Sequence, residues 1–224
     1  MAGTTQNQVT GRLSLAPHLF EAIFQGCSVE RVSANQTLFL QDDPSDRLIG
    51  IVSGMVEISL YSASGRKIVA NIEVAGSLVG EIGALDGQPR TATATTIGEC
   101  EIVSVSRQTL LERMDREPAL ASALIMALCA RVRWISAEFG DRAMLSIEQR
   151  LAKRLLLLQQ LLADGDGWIR IAQTDLAEFL GTSRESVNRL LKDWTTGGLI
   201  ATRRAMIKVV DTQALSAVVE DGSA

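Results

Sequence analysis

Residues 174–192 read TDLAEFLGTSRESVNRLLK. Leu176, Ala177, Phe179 and Leu180 recur at helical spacing and stop at Gly181, a residue suited to a helix end. Ser183 then caps a second helix whose inner face is Val187, Leu190 and Leu191. Ala177 lets two helices cross closely and Gly181 permits the tight turn between them, so the stretch predicts a helix-turn-helix. The outer face of the second helix carries Arg184, Glu185, Asn188 and Arg189. In a major groove Arg pairs bidentately with guanine, Glu accepts from cytosine and Asn pairs with adenine. Any one of these is an ordinary solvated charge or amide. The set at this spacing, directly after a capped turn, predicts base readout, with Ser183 and Lys192 completing the expected DNA-binding surface.

Downstream, Leu199 to Thr202 and Met206 to Val210 predict a hairpin with Arg203 and Arg204 at its tip, a wing that contacts phosphates without reading sequence. Charge agrees. The 224-residue chain has a net charge of −4, yet residues 184–208 hold six basic and two acidic side chains, a local positive patch on a mildly acidic body. Upstream, Ser146-Ile147-Glu148-Gln149 fits the S-x-x-Q capping box. A helix is expected from Ile147, with Leu151, Leu155, Leu158 and Leu162 as its apolar face and Asp164-Gly165-Asp166-Gly167 ending it. From Pro118 to Gly140, Leu120, Leu124, Leu128, Val132, Ile135 and Phe139 recur every three to four residues. One long helix with a continuous apolar seam is expected, and packing on its own twin as a homodimer is the preferred reading. Gly140 to Ser146 is the expected hinge.

Between Val32 and Val105 the pattern changes to short apolar runs broken by turns. Leu38 to Leu40, Leu48 to Val52, Val56 to Tyr61, Ile68 to Ile72 and Glu101 to Val105 predict an all-β barrel or sandwich. The expected class is therefore α+β: a β-roll domain over residues 1–117, the long helix and hinge over 118–145, and a winged helix-turn-helix over 146–224. Within the β region, residues 76–93 (GSLVGEIGALDGQPRTAT) suit a ribose cyclic phosphate. Glycines such as Gly80 let backbone N–H groups approach an anion, and one turn of helix through Ile82 adds its positive end. Glu81 can accept a ribose 2′-hydroxyl. Arg90 can pair with the phosphate and Thr91 can donate to it. On this reading Arg90→Ala removes the ligand response and leaves folding intact.

Composition excludes other classes. Hydrophobic residues make up 46% and charged residues 21%, as in a folded domain. Met1 to Arg12 lack a signal-peptide core, and the run Leu155–Leu162 is broken by two glutamines, so a cytoplasmic protein without a membrane partner is expected. Cys27, Cys100 and Cys129 form no metal or disulfide pattern, and the single His18 lies outside the barrel. No metal, haem or iron–sulfur cluster is expected. No nucleophile–base pair or Walker motif supports an enzyme.

Ser183 to Lys192 resembles the recognition helix of the cyclic-AMP receptor protein/fumarate-nitrate regulator (Crp/Fnr) family of bacterial transcription regulators. Residues 76–93 are similar to the phosphate-binding cassette of cyclic-nucleotide-binding domains, which that family carries N-terminally. The resemblance runs from about Val29 to Val210. It implies a palindromic operator, Arg184, Glu185 and Arg189 as principal base readers, and contact with RNA polymerase if the protein activates. It also implies a cyclic nucleotide effector, cAMP ahead of cGMP. Two departures stand out. An early turn has Asp42-Asp43 where glycine usually precedes aspartate. Counting from Pro118, Ile135-Ser136 stands where the cyclic-AMP receptor holds the adenine with Thr-Ser, leaving Ser136 as the base contact. The alternatives are a family member that binds DNA without an effector and, in a different class, a cyclic-nucleotide-regulated enzyme or a protein-binding module.

Overall fold

The computed structural model describes residues 13–220 and divides the chain into two compact units, one ending at Ser136 and the other beginning at Ala137. The expectation for Met1 to Arg12 lies outside the described residues.

In the first unit α1 (Pro17–Phe24) leads into strands β1 (Val29–Val32), β2 (Thr37–Phe39), β3 (Arg47–Ser53), β4 (Met55–Tyr61), β5 (Lys67–Val74) and β6 (Leu78–Val79). The short helix α2 (Glu81–Asp86), β7 (Thr93–Thr96), β8 (Cys100–Ser106) and α3 (Arg107–Arg116) follow, and the long α4 (Pro118–Met144) begins. Two four-stranded sheets result, ordered β1-β8-β3-β6 and β2-β7-β4-β5. Ile49, Ile51, Val56, Ala94 and Ile102, drawn from both sheets, share one buried core. Leu48, Val103 and Val105, on the opposite face of the first sheet, pack with Ile23 and Phe24 of α1, Leu110 of α3 and Leu120 and Leu124 of α4. Burial on both faces explains why β3 is apolar almost throughout rather than alternating. Gly50 sits where α1 presses closest: a Cβ there would lie 2.5 Å from the Phe24 ring.

The turn at Asp42-Asp43 keeps the geometry that glycine would supply. Asp42 adopts a left-handed φ of 69°, and the Asp43 carboxylate accepts from the backbone N–H of Leu40 at 2.8 Å.

α4 corrects two expectations. It passes through Gly140 and ends at Met144, because one glycine costs a helix interior only about 1 kcal/mol. The apolar positions also do not form one seam. Steps of four residues advance about 40° around a helix, so the series from Leu120 to Phe139 drifts off its starting face. Leu120, Leu124 and Ala127 are buried in the first unit, whereas Val132, Ile135 and Phe139 are exposed. Among the described residues α4 is the one helix long and apolar enough to cross a membrane by length and composition, a property that inspection of the Leu155–Leu162 run does not reach.

In the second unit α5 (Ile147–Leu162) opens with the expected capping box between Ser146 and Gln149. β9 (Trp168–Arg170), α6 (Gln173–Leu180), α7 (Arg184–Thr196), β10 (Ile200–Arg203), β11 (Met206–Val209) and α8 (Thr212–Glu220) follow. The hairpin β10–β11 gains β9 as a third strand. Leu151, Leu155 and Leu158 of α5, Leu176 and Phe179 of α6, and Val187, Leu191 and Trp194 of α7 are all buried. Arg154 is buried with them: it pairs with Glu138 at 3.3 Å and lies 4.8 Å over the Phe179 ring.

Candidate effector pocket and nucleic-acid interface

In the first unit a partly open cavity of about 50 Å³ is lined by Gly80, Glu81, Ile82, Arg90 and Thr91, together with Phe39, Ile58 and Arg131. The loop between β6 and α2 shapes it. Gly80 is the N-cap of α2 with φ 78°, and a Cβ there would fall 2.2 Å from Nη1 of Arg90. Only glycine combines that backbone with that contact. Arg90 is buried, and its guanidinium donates to the carbonyls of Gly80 at 2.8 Å and Arg47 at 2.7 Å while lying 4.3 Å from the centre of the Phe39 ring. Its Nε has no hydrogen-bond partner among the described residues. Burial pulls the guanidinium below its ordinary pKa, opposed first by Asp46. Arg90 thus braces the fold as well as facing the cavity, so the expectation that Arg90→Ala leaves folding intact is not supported by its packing.

Glu81 is 4% exposed, and burial pushes its carboxyl above the ordinary range against the pull of Arg131. Arg131, on α4, pairs with the fully buried Glu73 of β5 and lies 3.9 Å from Glu81. Burial disfavours its charge, but Glu73 and Glu81 hold its pKa above the usual value. Ile82 and Thr91 are exposed at the mouth. Ser136 is not among the lining residues; its hydroxyl donates to the carbonyl of Val132 at 2.9 Å. Five of the six residues expected at this site therefore gather and the sixth does not.

Sequence reasoning missed Arg131, although a signal existed. Residues 120, 124, 127 and 131 share one helical face, and three apolar side chains followed by an arginine mark a charge turned inward.

In the second unit Gly181 ends α6 with φ 65°, and the Ser183 hydroxyl caps α7 by accepting from the N–H of Ser186 at 3.2 Å. Arg184, Glu185, Asn188, Arg189 and Lys192 are exposed along α7, and Arg203 and Arg204 are exposed on the hairpin. Arg184, Arg203 and Arg204 line one open groove with Gln173 and Thr174. Arg203 is steadied 4.1 Å over the Trp168 ring. Gln173 donates to the side-chain oxygen of Asn188 at 3.4 Å. The carboxyl of Glu185 is lowered by its own backbone N–H at the helix start and by Ser183, which keeps it an acceptor. Among the described residues no cluster of three His, Cys, Asp or Glu side chains could hold a metal ion, and Cys27, Cys100 and Cys129 are free. His18 is exposed on α1.

Comparison with known proteins agrees with this division. The family described as "Cyclic nucleotide-binding domain" matches residues 29–117, and "Crp-like helix-turn-helix domain" matches residues 149–218. The chain is 30% identical over 211 residues to the CRP-like cAMP-activated global transcriptional regulator of Mycobacterium tuberculosis (strain H37Rv), covering 87% of this chain and 94% of that protein. It is 26% identical over 210 residues to the cAMP-activated global transcriptional regulator CRP of Escherichia coli O157:H7, covering 92% and 100%. Among solved structures, the c-di-GMP-responsive global regulator CLP of Xanthomonas campestris superposes with a TM-score of 0.76 at 22% identity, covering 87% and 99%. Fold and site together define a DNA-binding transcription regulator equipped with a cyclic nucleotide-binding domain. The chain belongs to the Crp/Fnr family of bacterial transcription regulators.

Proposed function

We propose that this regulator binds a 3′,5′-cyclic nucleotide, cAMP in preference to cGMP, and then binds a palindromic operator as a homodimer. The observation that carries the reading is the single cavity holding a left-handed glycine, a buried carboxylate and a buried arginine. Gly80, Ile82, Arg90 and Thr91 would take the cyclic phosphate and Glu81 the ribose hydroxyl. Arg184, Glu185, Asn188 and Arg189 would read bases, with Ser183, Lys192, Arg203 and Arg204 toward phosphates. The working domains are then residues 1–117, 118–145 and 146–224, and the site of action is the bacterial cytoplasm, where the DNA is.

The dimer rests on α4. Ile125, Val132 and Phe139, spaced by sevens, are 59%, 62% and 75% exposed. A heptad of exposed apolar side chains fits a second copy across a two-fold axis. A lipid partner fits less well, since Arg131 on the same helix is engaged with two carboxylates. RNA polymerase would be a partner if the outcome is activation.

A second reading, DNA binding without an effector, draws on Arg90 already satisfying two carbonyls. Calorimetric titration of the nucleotide-free protein with cAMP and cGMP separately, followed by DNA-binding anisotropy with and without nucleotide, decides between them. Saturable heat and tighter operator binding support the effector. No heat, with operator binding intact, supports the second reading.

A further inference from the structure

Arg131, which lines the cavity, is held by a carboxylate that the phosphate and ribose contacts leave unused. In the β4–β5 pairing Glu73 stands opposite Val56 and Asn71 opposite Ile58. Directly paired residues share a face. Val56 belongs to the core between the sheets and Ile58 lines the cavity, so Glu73 and Asn71 point into the roll. Glu73 is 0% exposed. Its Oε1 accepts from Arg131 and from Nδ2 of Asn71, the latter at 3.1 Å, whereas its Oε2 is buried without a hydrogen-bond partner among the described residues. Buried acceptors almost always have a donor, and an exception demands a reason.

Its place in the site supplies one. Arg90 touches Gly80, Glu81 follows Gly80 in the chain, Arg131 lies 3.9 Å from Glu81, and Arg131 holds Glu73. These groups are linked by contacts one to the next, and a cyclic nucleotide likewise presents phosphate, sugar and base in series. The helix residue expected to meet the base, Ser136, spends its hydroxyl on Val132.

Building on the effector reading above, we propose that Glu73 reads the base, with Oε2 accepting from the exocyclic amine of a 6-aminopurine. Oε1 is committed twice, which leaves one oxygen for one N–H donor. Guanine places a carbonyl oxygen at the 6 position, where it would face the carboxylate and be repelled. Its two adjacent donors, N1–H and the 2-amine, need both carboxylate oxygens.

The test compares cAMP with cyclic inosine monophosphate, which differs by a 6-oxo group in place of the amine, and with cGMP. Each is titrated calorimetrically into full-length, nucleotide-free protein. The wild type is expected to prefer cAMP over the inosine nucleotide by about tenfold to hundredfold, the scale of one hydrogen bond to a charged acceptor. In Glu73→Gln, Arg131 and Asn71 keep the amide oxygen facing them and turn the amide N–H2 outward as a donor. That variant is expected to lose the preference and favour the 6-oxo base. Glu73→Leu is expected to lose the preference without gaining the other. If Glu73 only holds Arg131 in place, both variants weaken all three nucleotides by a common factor and the wild-type ratio survives, which overturns the proposal. Should Glu73→Leu fail to fold, the isosteric Glu73→Gln decides alone. A folded wild type that binds none of the three removes the effector reading itself, whereas binding with unchanged ratios removes only the role of Glu73.

Discussion

Gly80→Ala is the substitution whose consequences the geometry defines most closely. Alanine would have to adopt φ 78°, a left-handed conformation costing an L-residue about 1–2 kcal/mol. Its Cβ would also fall 2.2 Å from Nη1 of Arg90, far inside contact distance. Arg90 cannot simply swing away, because it is buried, bonded to two carbonyls and stacked on Phe39. Moving it sacrifices at least the bond to the Gly80 carbonyl, about 1.5–3 kcal/mol for a charged donor. The combined destabilisation is about 3 kcal/mol, and the displaced guanidinium no longer faces the anion position. Urea unfolding followed by circular dichroism measures the first consequence and calorimetric titration with cAMP the second. An unfolding free energy within about 0.5 kcal/mol of wild type would refute the argument that Gly80 is required by the backbone and by Arg90, since surface substitutions free of such constraints fall in that range.

Three further outcomes are expected. Arg189→Ala should weaken operator binding by about 1–3 kcal/mol while leaving random DNA nearly unaffected; equal weakening of both, measured by anisotropy at fixed salt, would assign Arg189 to phosphates instead. Phe139→Asp should convert the proposed dimer to monomer in sedimentation equilibrium, because the exposed heptad on α4 would then bury an unpaired charge; a dimer unchanged by the substitution would place the interface elsewhere. Burial raises the Glu81 carboxyl above its unfolded value, so its neutral form favours the fold below the unfolded pKa of 4.5 and that contribution fades as pH rises through the folded pKa. Glu81→Gln should therefore gain stability relative to wild type on going from pH 4.5 to 7.5 in urea titrations; a difference constant across that window would show that Glu81 does not titrate with folding.

The parts of the molecule legible in the sequence are those in which local chemistry acts alone. Ser146 with Gln149, Gly181 with Ser183, and the wing arginines each declare themselves within four residues, and each lies where its local pattern puts it. β3 is visible because both of its faces are buried and its apolar run from Leu48 to Val52 is unbroken. β7, whose four residues are three threonines and an alanine, and the two-residue β6 have no such pattern; they exist because neighbours in the sheet hold them. α3 shows the same limit, since Leu110 is its one fully buried side chain and Ser106 its only cap.

The pocket divides along the same line. Gly80, Glu81, Arg90 and Thr91 fall within one twelve-residue segment and were recoverable from their order, whereas Arg131, Phe39 and the Glu73 that holds Arg131 come from three other elements. Glu73 shows why such residues escape. Set between Ile72 and Val74, it looks like the solvent-facing member of an alternating strand, and only pairing with Val56 on β4 turns it inward. Which face of β5 meets the core depends on the β4 register, with its bulge between Ile58 and Ser59, and a register shift of one residue would have put Glu73 in water. Arg131 lies 58 residues further on, so neither partner is informative without the other. The ion pair follows from topology, and it is through topology that a charge on α4 reaches the cavity.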